Sequence, residues 1–98
     1  MSILITSANS ADAYQLKSKL NAEEVILGDY EELPALMLKS GKMIQLPNPK
    51  SASYSHQMLT LCLDKGINTV YPLREEESLL LKEAGQLFKE YGINIINQ

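Results

Sequence analysis

Arg74 is followed at once by Glu75, Glu76 and Glu77. The four come just after the apolar, strand-like run Thr69-Val70-Tyr71, which Pro72 stops. A guanidinium takes a carboxylate or phosphate through a bidentate fork, which gives Arg74 a binding role. Carboxylates at Glu75 and Glu77 can hold a polar substrate group or meet a partner surface. The same residues also have plain structural uses. Acidic side chains favour the first turn of a helix, Arg74 can bridge to a nearby glutamate on a solvated rim, and Glu76 reads as surface.

A second polar group, Ser7, Asn9 and Ser10, follows the apolar run Ile3-Leu4-Ile5-Thr6. Asp29 ends another, Val25-Ile26-Leu27-Gly28, about 20 residues after that turn, where dinucleotide-binding folds place an acid against a ribose hydroxyl. No glycine stands in the first turn, and close approach of a phosphate to backbone wants the missing Cβ. Asp29 therefore reads first as a turn former. Asn48 sits at a further strand end, between Pro47 and Pro49. The candidate substrate-side residues are Ser7, Asn9, Ser10, Asp29, Asn48, Arg74, Glu75 and Glu77.

No complete catalytic set accompanies them. His56 is the one histidine, so no histidine pair or triad exists, and its helical position reads as surface or half-buried. Cys62 falls on an apolar helix face and reads as an inert buried thiol, since an activated cysteine wants a helix start or a cationic neighbour. Ser51, Ser53 and Ser55 lack a nucleophile-elbow context and read as turn and cap residues. A metal centre is not expected.

Elements that alternate between strand and helix must position these groups. Ile3 to Thr6 reads as a buried strand. Ser10 is placed to cap a helix over Ala11 to Leu20, with Asp12 in its first turn and Ala13, Leu16 and Leu20 inward, Tyr14 beside them. Asn21 closes it. Val25 to Leu27 is the second strand. Leu33 to Met37 forms a helical turn with Pro34 near its start. Met43 to Leu46 is the third strand, confined to an edge or strand end by Pro47 and Pro49. A helix capped by Ser51 or Ser53 runs to Lys65 and stops at Gly66. Tyr54, Met58, Leu61 and Cys62 share its inner face, widened by Leu59 and Leu63; Met37, Met43 and Met58 read as gap-filling core. Asn68 to Tyr71 is the fourth strand. One helix then reaches from Glu75 to Tyr91, burying Leu80, Ala84, Leu87, Phe88 and Tyr91. Ile93 to Ile96 is the fifth strand.

This alternation predicts an α/β fold: a five-stranded parallel sheet with helices on both faces. Right-handed crossovers make the strand order 3-2-1-4-5, a Rossmann-like arrangement. Its switch point lies between the first and fourth strands, which sets Ser7, Asn9 and Ser10 opposite Pro72, Leu73, Arg74 and Glu75.

Ninety-eight residues, 45% of them hydrophobic, suit one domain over 1–98 with a real core. The net charge of −3 has no basic block, which excludes a nucleic-acid surface. No apolar run approaches the ~18 residues of a membrane span, and no leader pattern opens the chain. A lone cysteine permits no intrachain disulfide and fits a cytoplasmic setting.

Over Ile3 to Ile96 the chain resembles the N-terminal, pre-ATP-grasp domain of ATP-grasp ligases, above all the carbamoyl-phosphate-synthase-like large-subunit group. The likeness rests on Ile3-Leu4-Ile5-Thr6, Val25-Ile26-Leu27-Gly28-Asp29, Gly66-Ile67-Asn68-Thr69-Val70-Tyr71-Pro72-Leu73 with Glu75 and Glu77 after it, and Tyr91-Gly92-Ile93-Asn94-Ile95. The family's fourth strand ends in Pro-Leu, an acidic residue, and two positions later a Glu opening the helix. Its first turn is usually glycine-rich, which this one is not. The resemblance implies a substrate-side domain of a carboxylate–amine ligase, not catalytic on its own. ATP and Mg²⁺ would be held by ATP-grasp modules, in the same longer chain or a separate subunit, with no cofactor on this chain. The alternative is a stand-alone small-molecule or nucleotide-binding Rossmann-like module. A homodimer through the third or fifth strand stays open. A phospho-receiver does not fit: it needs acids where Thr6-Ser7-Ala8-Asn9 and Pro47-Asn48 stand.

Overall fold

Along each strand, apolar side chains point alternately to two faces, and helices cover both. The computed structural model describes residues 2–20 and 24–97. The elements are β1 (Ser2–Ile5), α1 (Ala11–Leu20), β2 (Val25–Asp29), α2 (Ala35–Lys39), β3 (Met43–Gln45), α3 (Tyr54–Lys65), β4 (Ile67–Tyr71), α4 (Glu75–Glu83), α5 (Gly85–Glu90) and β5 (Asn94–Ile95). All four strand pairings are parallel, and the sheet order is β3-β2-β1-β4-β5, as the alternation predicts.

Two cores result, one on each face. Leu4 and Val70 pack with Tyr54, Met58 and Cys62 of α3, Leu81 of α4 and Phe88 of α5. Ile5, Leu27 and Met43 pack on the other face with Ala13 of α1 and Leu33, while Leu16, Leu20 and Met37 lie against them. Burial of one such aliphatic side chain contributes roughly 1.5–3 kcal/mol, so both faces are needed to hold a sheet this small.

Several element boundaries differ from the sequence pattern. The single C-terminal helix is two. Ala84 leaves helical geometry at φ −92°, ψ 7° and its N–H closes α4 on the Leu80 carbonyl. Gly85 follows, and glycine costs a helix interior about 1 kcal/mol relative to alanine, so the break is cheap there. Phe88 is fully buried beyond it, whereas Tyr91 lies past the end of α5 and is 55% exposed. Tyr14 (49% exposed) and Leu63 (49%) likewise turn outward rather than inward. Pro34 is the N-cap of α2, not part of its first turn, and that helix continues to Lys39.

Neither serine caps α3 through its side chain: Ser53 holds the N-cap position without a side-chain bond. Ser51 Oγ accepts the Ser53 N–H and the Ser51 carbonyl accepts the Tyr54 N–H, so a turn leads into the helix. Ser10 does cap α1, accepting the Ala13 N–H at 3.2 Å. Asn21, expected to close α1, lies outside the described residues. Gly66 ends α3 in the left-handed region at φ 67°.

Candidate functional site

The ligand-facing edge forms where β1 and β4 run side by side, Leu4 opposite Val70 and Ile5 opposite Tyr71. Beyond the strand ends the two chain segments stay tied. The Thr6 N–H donates to the Tyr71 carbonyl at 3.2 Å, and the Leu73 N–H donates to Thr6 Oγ1 at 2.8 Å. Sequence reasoning passed over Thr6 as a strand residue, yet its hydroxyl joins the two turns.

The first turn closes on itself. Ser7 sits at φ 59°, the one non-glycine with positive φ among the described residues. This conformation aims its carbonyl back at Ser10, whose N–H and Oγ both donate to it, at 2.9 and 2.8 Å. The Ala8 N–H donates to the Gly28 carbonyl at 3.0 Å. Asn9 is exposed at the tip.

The second turn is built from charge. Asp29, completely buried at the end of β2, takes Arg74 in a fork. Arg74 Nη2 reaches both Asp29 oxygens at 3.0 Å, and Nε adds a 3.3 Å bond to Oδ1. The Glu31 N–H donates to the same Oδ1. Glu31 holds Arg74 from the solvent side, and the guanidinium lies 4.8 Å from the centre of the Tyr30 ring. The hydrogen bonds it donates to Asp29, with the charges of Asp29 and Glu31 behind them, raise Arg74 above its ordinary range. Tyr30 donates in turn to Glu76 at 3.3 Å.

Below this, Gln45 Nε2 donates to the carbonyls of Asp29, Tyr30 and Glu31 and fixes their path. Gly28 lets that segment approach β3: a Cβ there would lie 2.9 Å from the Leu46 side chain. Tyr30 and Glu31 were missed from sequence; the cue was the acidic, aromatic run that follows Asp29 directly.

The predicted site residues therefore divide. Asp29 and Arg74 meet, and Glu75 lines a surface pocket with Arg74, Glu76 and Leu79, of about 490 Å³. Ser7 and Ser10 bond to each other. Asn48 is not brought to the cluster by its side chain, whose Oδ1 accepts the Lys50 N–H in a local turn. Glu77 lies beneath the rim, fully buried, with Tyr54 donating to its Oε2 at 3.0 Å and Oε1 lacking a hydrogen-bond partner among the described residues. Burial pushes the Glu77 carboxyl up; the hydroxyls of Tyr54 and Thr6 and the Arg74 charge pull it back, and Asp29 adds to the rise. Its place in the first turn of α4 favours charge by about 0.3–1 kcal/mol. An uncompensated buried ion costs several, so burial dominates. Burial raises the Cys62 thiol to about 12, which keeps it inert at neutral pH.

Fold and rim together define a Rossmann-like α/β domain whose open edge is the β1–β4 switch point. The family model for the PylC-like, N-terminal domain matches residues 3–96, and the chain belongs to that family, the pre-ATP-grasp N-terminal domain of ATP-grasp ligases. No curated protein matches the chain. ATP and Mg²⁺, which this family implies, are not suited by the residues at the rim. Two N–H groups of the first turn are spent on carbonyls, and Arg74 is spent on Asp29 and Glu31. Among the described residues no helix is long and apolar enough to cross a membrane.

Proposed function

We propose that the chain is the substrate-side wall of a carbamoyl-phosphate-synthase-like carboxylate–amine ligase and performs no chemistry alone. The observation that carries this is that Arg74 and the Ala8 and Ser10 amides at the rim are bonded within the domain. With the Ala8 and Ser10 amides and Arg74 committed inside the domain, phosphoryl transfer belongs to an ATP-grasp module, in the same longer chain or a separate cytoplasmic subunit. The pocket bounded by Arg74, Glu75, Glu76 and Leu79 would then border the substrate or that module, with Glu75 as its accessible carboxylate.

Phosphate release from ATP with Mg²⁺ and bicarbonate or an amino acid should read zero for this chain, and should appear when the cognate ATP-grasp module is supplied. Turnover by the chain alone overturns the assignment.

The same pocket supports a second reading, small-molecule binding by the chain itself. A ligand at a hundredfold excess over Kd would stabilise the fold by about 2.7 kcal/mol. A thermal-shift panel of ATP, ADP, NAD and amino acids tests it, and no shift at millimolar concentration removes it.

A further inference from the structure

We propose that Glu77 keeps its proton to higher pH than the exposed glutamates beside it and acts as a pH-sensitive pin beneath the ligand-facing rim. Three observations lead there. The side chain is fully buried in the first turn of α4. The Tyr54 hydroxyl donates to Oε2 and the Thr6 hydroxyl lies beside the carboxyl, while Oε1 has no hydrogen-bond partner among the described residues. The nearest cation, Arg74, is turned to Asp29 and Glu31 by four short contacts and does not bond to Glu77.

An ionised carboxylate in a dry site requires several donors or a bonded cation. Glu77 has two hydroxyls beside it and no bonded cation, so it holds its proton to higher pH than an exposed glutamate. The groups that act on it are Tyr54 from α3, Thr6 after β1, Asp29 at the end of β2 and Arg74 at the start of α4; Cys62 and Glu76 act in turn on Tyr54. Burial is the largest influence and favours the neutral form; the two hydroxyls and the Arg74 charge oppose it, and the Asp29 charge adds to it. In the neutral form Glu77 links α3 to the start of α4, directly under the Thr6–Leu73 bond that joins the two turns. Ionisation at high pH puts an unpaired charge at that junction and loosens it. None of this depends on which ligase the domain serves.

The sign follows from linkage. A carboxyl whose folded value is raised contributes its full stability at low pH and loses it as pH rises through the folded value. Glu77→Gln keeps the shape and the Tyr54 contact and removes the ionisation. Relative to the native chain, the folding constant of the variant should rise between pH 4 and pH 8, about tenfold for each unit by which Glu77 is raised. Comparing the two chains cancels every other titrating group. An unchanged ratio across this range would overturn the proposal. Should the variant fail to fold, carboxyl carbon NMR on the native chain decides. A Glu77 resonance titrating well above those of Glu75 and Glu76 supports the neutral pin, and one titrating with them ends it.

Discussion

The two turns that meet at the β1–β4 edge occupy the same rim and are made in opposite ways. Past Thr6, the Ser7–Ser10 turn closes on its own backbone and that of Gly28. The segment from Pro72 to Glu77 depends on side chains from another part of the chain, Asp29, Tyr30 and Glu31. A self-contained turn tolerates change because its bonds are local. A turn braced by a buried ion pair does not, because loss of one partner strands the other in a dry site.

Substitutions can break that contrast, and the largest effect belongs to the charged turn. Arg74→Ala leaves the Asp29 carboxylate buried with one N–H donor and should cost about 3 kcal/mol, read as a lower urea midpoint. Thr6→Val cuts the link between the turns and leaves the Leu73 N–H without its acceptor, for a loss of about 1–2 kcal/mol in the same assay. The closed turn should improve with Ser7→Gly. Relief of the left-handed strain gains about 1–2 kcal/mol, against about 0.4–1 kcal/mol for the freer unfolded chain. A net gain near 0.5 kcal/mol should appear as a raised Tm. A loss instead would mean that the Ser7 side chain supports the turn. The smallest effect is Glu31→Ala. Glu31 is 56% exposed at its side chain, so its arm of the Arg74 contact is worth only ~0.5 kcal/mol and should fade in high salt. An equal cost for Glu31→Ala and Arg74→Ala would show that solvent, not burial, sets the strength of the network.

The C-terminal helix shows where a periodic pattern misleads. Leu80, Ala84, Leu87 and Phe88 keep helical spacing across Gly85, so the pattern reads as one helix although the backbone breaks at Ala84. Spacing reports which side chains face the core and is blind to one residue's departure in ψ. Tyr14 and Tyr91 fail for a related reason: an aromatic ring counts as apolar in a pattern, yet its hydroxyl is well placed in water.

What the sequence determined by itself was the sheet and its order. Short apolar runs separated by capped, amphipathic stretches leave few parallel topologies, and right-handed crossovers choose among them. The Ser10 cap and the Gly66 stop were equally legible, because both act within a few residues. Only the tertiary structure decided how the polar residues are used. Arg74 and Asp29 are 45 positions apart, and Tyr54 and Glu77 are 23 apart. No local pattern says that one acid will be paired, another left nearly alone in the core, and Asn48 turned into its own loop. Those fates are set by which strand ends the sheet brings together and by how much water it leaves between them.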